Sequence, residues 1–174
     1  MRTKTLIVLM STIVLVYLFF VPKKELYDSK IEIIGSNKFR AQVKNALTLI
    51  KEKAPEAFLI IENNIKIIKE FRYSGMAAYL EKPTFRFNGR SAFYSLTWCA
   101  GAIAHDSYHS KLYHDYKKTN GEPVPDNIWK GQKIEMQCLA HQAEVLQKLG
   151  APQREIDYVK SLDGSYANVA YRDW

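Results

Sequence analysis

Between Thr5 and Pro22 the chain carries no charged residue, and Leu6–Val21 (LIVLMSTIVLVYLFFV) is apolar apart from Ser11 and Thr12. As a helix rising about 1.5 Å per residue, this stretch is roughly 27 Å long, close to the depth of a bilayer's hydrocarbon core. A core helix keeps one polar face, and this segment has none. It runs into Phe19-Phe20-Val21-Pro22-Lys23-Lys24 with no small-x-small cleavage site. The sequence therefore predicts an uncleaved transmembrane anchor over 1–24, a linker over 25–36 and one domain over 37–174. On this reading the chain is a single-pass membrane protein, engaging the membrane through its N-terminal helix. Its folded domain lies outside the cytoplasm, periplasmic or extracellular.

The net charge of +7 points first to nucleic acid, but its location argues otherwise. Arg2, Lys4, Lys23 and Lys24 belong to the first 24 residues, and removing them leaves 21 basic against 18 acidic side chains. No Lys/Arg run interleaved with aromatics occurs in that remainder, so no nucleic-acid partner is expected. Two cysteines in 174 residues exclude a disulfide-dense miniprotein and a four-cysteine zinc ribbon.

Ser36 or Asn37 caps a helix whose apolar positions Phe39, Val43, Ala46, Leu47 and Ile50 recur at three and four residues, ending before Pro55. Ala57–Phe71 reads equally as helix or strand. Ala78–Leu80 and Thr84–Phe87, separated by Pro83 and closed by Asn88-Gly89, read as two antiparallel strands. A long helix follows from Ser91 to about Tyr116, then a polar loop with Gly121, Pro123 and Pro125. Asp126 caps the next helix, whose stripe is Ile134, Cys138, Val145 and Leu149 and whose stop is Gly150. The fold class is α+β: a small antiparallel sheet packed on a helical bundle.

His105 and His109 lie four apart in Ala-His-Asp-Ser-Tyr-His, which puts two imidazoles on one helix face, one turn apart. Two ligands do not make a zinc site, and Glu135, in the first turn of the following helix, is the best-placed third. His114 misses the helical ligand spacing, and His141 falls on the buried stripe as a core histidine.

The segments Trp98–His109 and Glu135–Gly150 resemble the two active-site helices of the gluzincin metallopeptidases. The resemblance is closest to small bacterial membrane-anchored proteins with a minimal version of that core. It implies zinc bound by His105, His109 and Glu135, with Asp106 in the general-base position, one methylene shorter than the usual Glu. The function so implied is a membrane-anchored zinc metallopeptidase-like hydrolase acting on a peptide or protein substrate. The alternative is a non-catalytic anchored binding or scaffold protein that keeps the fold, or a phospholipase-like hydrolase using the His-Asp pair. A metal phosphohydrolase would need an earlier histidine, and none precedes His105. In antiparallel helices, Cys99 and Cys138 fall about 9 Å and 4.5 Å from His105 and Glu135 in the same direction, so a disulfide between them is expected.

Overall fold

The computed structural model describes residues 23–165. Five strands form one mixed sheet: β1 (Lys24–Tyr27), β2 (Ile31–Ile34), β3 (Ile67–Phe71), β4 (Gly75–Ala77) and β5 (Thr84–Asn88), in the order β1-β2-β3-β5-β4. The two edge pairs are antiparallel, whereas β2–β3 and β3–β5 are parallel. The expected all-antiparallel sheet is corrected here. A parallel neighbour requires a crossover, and the β2-to-β3 crossover is a pair of helices, α1 (Asn37–Lys53) and α2 (Pro55–Asn64).

Residues 25–36, read as a linker, instead build β1 and β2. The alternation that marks them is brief: Ile31 and Ile33 are buried while Glu32 and Ile34 are not. Ala57–Phe71 divides, helix first and strand second. Strand β4 sits three residues earlier than the aromatic run suggested, leaving Tyr79 and Leu80 exposed.

Side chains at period two, Ile31, Ile33, Ile68, Phe85 and Phe87, face the helices and form the core with α1. Phe39 of α1 meets Phe87 edge to face at 6.1 Å. The Ser36 hydroxyl accepts from the Phe39 N–H at 3.2 Å and caps α1 as its sequence predicts. Gly35 is required by space, since a Cβ there would lie 2.7 Å from the Cβ of Glu70 and 2.8 Å from the Phe39 ring.

After one helical turn, α3 (Gly89–Ala92), Ser95 caps α4 (Leu96–Asn120), its hydroxyl accepting from the Trp98 N–H at 2.8 Å. Asp126 opens a 3-10 turn, Asp126–Ile128, and α5 (Gln132–Leu149) begins only after Gly131, whose φ of 92° breaks the chain direction. Gly150 closes α5 in the left-handed conformation, and α6 (Gln153–Ser161) follows Pro152.

Helix α4 packs against α1, α2 and α5. Small residues allow this: Ala100, Gly101, Ala104, Ser107 and Ser110 line its buried surface, and the Ser110 hydroxyl donates to the Asn64 carbonyl at 2.7 Å. At Gly101 a Cβ would stand 2.9 Å from a Leu146 methyl.

Among the described residues no helix is long and apolar enough to cross a membrane. This corrects the expected single-pass architecture, and with it the membrane partner and the placement outside the cytoplasm that depend on it. The apolar residues 5–21 on which those expectations rest lie outside the described residues.

The α4–α5 contact yields a stability prediction. Gly101→Val forces a branched side chain into Leu146, and overpacking of this kind costs about 1–3 kcal/mol. Thermal unfolding is expected to show a lower midpoint for this variant, and an unchanged one would place the contact elsewhere.

Candidate metal centre

His105 and His109 project from one face of α4 toward the first turn of α5. Their Nε2 atoms are 3.2 Å apart. Glu135 reaches between them, Oε2 lying 3.2 Å from His105 Nε2 and Oε1 3.4 Å from His109 Nε2. One turn along α5, Cys138 turns to the same place: its sulfur and the ligand nitrogens of both histidines all lie within 4.8 Å of one another. The four residues are 8%, 6%, 2% and 0% exposed respectively, so the cluster is withdrawn from water.

The orientation of His109 is fixed from outside the cluster. Its Nδ1–H donates to the Trp129 carbonyl at 2.8 Å, which leaves the Nε2 lone pair directed at the centre in the neutral ring. The loop between α4 and α5 therefore sets the ligand tautomer. His105 Nδ1 is buried with no hydrogen-bond partner among the described residues.

Electrostatics bind the group together. Burial drives the Glu135 carboxyl upward, but hydrogen bonds from His105 and His109 overcome it and hold Glu135 well below the usual carboxylate range. Burial pulls His109 down, and its contacts with Cys138 and Glu135 reverse this, leaving its pKa well above the ordinary histidine value. Burial also raises the Cys138 thiol, opposed by His109. A negative carboxylate shared by two imidazoles in a dry site needs a positive charge at its centre, either a proton or a metal ion.

The distances fit a metal ion. Two nitrogens at about 2.0–2.1 Å from one zinc, or a nitrogen and a carboxylate oxygen, stand about 3.3 Å apart across a tetrahedral edge. The Nε2···Nε2 separation of 3.2 Å matches that edge, and each Glu135 oxygen lies at a similar distance from one of the two nitrogens. His105, His109 and Cys138 can thus hold a metal ion, with Glu135 against the same two nitrogens.

Of the residues singled out by sequence, His105, His109 and Glu135 come together. Asp106 is partly buried and lines a cleft of about 60 Å³ that also touches His105. The expected Cys99–Cys138 disulfide is corrected: both cysteines are free and buried. Cys99 packs in the core with Ala100 and Ile103, while Cys138 faces the histidines. His141 is not a core residue but stacks on Tyr108 at 4.8 Å, and His114 is partly buried outside the cluster. Sequence reasoning missed Cys138 as a donor, although its place three residues after Glu135 on one helix was the available signal. The Trp129 carbonyl had no such signal, since any residue supplies a carbonyl.

Compared with models of known protein families, with curated proteins and with solved structures, the chain matches none. The gluzincin resemblance is corrected accordingly. The structure's metal-competent triad includes a cysteine that the implied ligand set lacks, and no membrane span accompanies it among the described residues. The anchored metallopeptidase-like and phospholipase-like readings fall with it.

Thiol labelling checks the cysteine assignment. Two labelled cysteines per chain are expected after denaturation without reductant, and almost none in the folded protein because both sulfurs are buried.

Proposed function

We propose that the chain is a metal-binding protein whose α4–α5 pair holds one zinc ion on His105, His109 and Glu135, with Cys138 as the fourth donor. The observation that carries this reading is the wedging of a buried carboxylate between two imidazole nitrogens at coordination-edge distances. Two nitrogens, one carboxylate oxygen and one sulfur suit zinc, whereas magnesium and calcium take oxygen-rich shells. Four protein donors close the coordination sphere, and closed spheres belong to structural zinc. The role of such an ion is to fasten α4 to α5 and to neutralise the buried carboxylate.

A second reading rests on the cleft at His105 and Asp106. In it, His105, His109 and Glu135 would hold the ion without Cys138, and Asp106, which lines the cleft beside His105, would be the residue placed to accept a proton from water there; the chemistry zinc would supply is a lowered water pKa.

Metal analysis of the purified chain is expected to return one zinc per protein. His105→Ala and His109→Ala should each lower affinity at least about tenfold, since loss of a mere outer-shell partner of a metal already costs that much. Binding displaces protons from imidazole and thiol, so affinity is expected to fall as the solution is made more acid. Cobalt substitution separates the two readings. A thiolate-to-cobalt charge-transfer band that disappears in Cys138→Ser supports the closed site; a cobalt spectrum with no such band, unchanged by Cys138→Ser, supports the open one. A chain that binds neither zinc nor cobalt stoichiometrically overturns both.

A further inference from the structure

A second site lies beside the metal centre. The loop before α4, the first turn of α4 and the start of α6 enclose a groove of about 380 Å³, within the range of small-molecule sites. Tyr94, Trp98 and Tyr158 form its walls, with Tyr94 and Tyr158 each 5.7 Å ring to ring from Trp98. Tyr94 and Tyr158 are 60% and 48% exposed, so these aromatic faces meet solvent rather than core. Arg90 and Arg154 stand exposed at its rim.

The floor is unusual. Glu155 lines the groove while only 2% exposed. One carboxylate oxygen accepts from the Thr97 hydroxyl at 2.7 Å, and the other is buried with no hydrogen-bond partner among the described residues. An acceptor left in this state is costly, and the first turn of α6, where Glu155 sits, favours its negative charge without giving that oxygen a partner.

We propose that this groove binds a small zwitterion with an apolar or aromatic body, an α-amino acid or short peptide. Its ammonium group sits over the floor, drawn by the negative charge of Glu155, its carboxylate meets Arg90 and Arg154, and its body lies against the three rings. Each partner answers a feature of the groove. A buried carboxylate selects a donor, and a cationic one most strongly. Guanidinium groups pair with carboxylates through two parallel hydrogen bonds. Exposed aromatic faces take up apolar surface and ammonium groups together. An uncharged apolar ligand would leave the carboxylate unanswered, and a simple anion would be repelled by it.

The groove shares Ser91, Trp98 and Tyr158 with the cleft that touches His105 and Asp106. A ligand seated there is a neighbour of the metal centre. The proposal stands on the groove alone, so its test is run on zinc-loaded and chelator-treated protein alike.

Isothermal titration of the full chain with phenylalanine and with phenylalanylphenylalanine is expected to give saturable binding by at least one of them, and the tighter of the two identifies free amino acid or peptide as the source. Phenethylamine and 3-phenylpropionate, each carrying half of the charge pattern, should bind about tenfold more weakly. Glu155→Gln should weaken the zwitterion about tenfold. Because Glu155 is buried, the paired substitution Arg90→Gln and Arg154→Gln, at exposed positions, supplies a variant that retains the fold, and it too should lose about tenfold. The proposal is overturned if neither zwitterion binds at millimolar concentration, if the half-ligands bind as tightly as the whole ones, or if the arginine pair is dispensable.

Discussion

A carboxylate held between two imidazoles, out of water, is the interaction around which the helical half of this protein is arranged. Ionised groups of this kind lose several kcal/mol of hydration apiece when buried. Glu135 recovers this only by meeting His105 and His109 at hydrogen-bonding distance, which demands that α4 and α5 approach closely and in one register. The sequence meets that demand with a glycine: Gly101 lies under Leu146, one turn before His105. A metal ion at the centre would strengthen the same contact, because a divalent charge would stand where a proton otherwise does.

The second constraint comes from the loop that joins the helices. A histidine with both ring nitrogens free can rotate and tautomerise, and one anchored by a carbonyl can do neither. Trp129 is itself buried, packed against Tyr113 at 5.2 Å, so its backbone is held by its own side chain. Positioning of the His109 ligand atom thus traces to a tryptophan in a segment that sequence patterning marks only as polar loop.

The helical half of the fold was the legible half. Three- and four-residue periodicity, a serine cap at Ser36 and a glycine stop at Gly150 are local signals, and α1 and the C-terminal end of α5 stand where those signals put them. The sheet was less legible because its parallel pairing depends on the α1–α2 crossover, a relation between residues 35 positions apart, as Glu32 and Ile67 are. Strands of four residues with charges among them, such as β1, carry too little alternation to be distinguished from linker. At the site, the two histidines and Glu135 were recoverable from helical spacing. Cys138 was misread because helix-level bookkeeping placed it level with Cys99 along the axis but ignored rotation about the axis. Six residues separate Cys99 from His105, which is about 120° around α4, so the Cys99 sulfur faces the core and not the histidines.

Helix α4 also explains why the aromatic groove and the metal centre adjoin. Trp98 and His105 are seven residues apart, two turns along one uninterrupted helix, so their side chains share a face at a spacing of about 10 Å. Thr97, on the neighbouring row, fixes one oxygen of Glu155 and thereby ties α6 to the same helix. One rigid element therefore carries, in order, the groove wall, the contact glycine and both histidines of the buried cluster. The Gly101 contact sets α5 close against α4, and α6 packs on α5 in turn. Both sites therefore hang on one helix although their chemistries are independent: Glu135 meets the imidazoles across the α4–α5 contact, and Glu155 meets Thr97 across the α4–α6 contact.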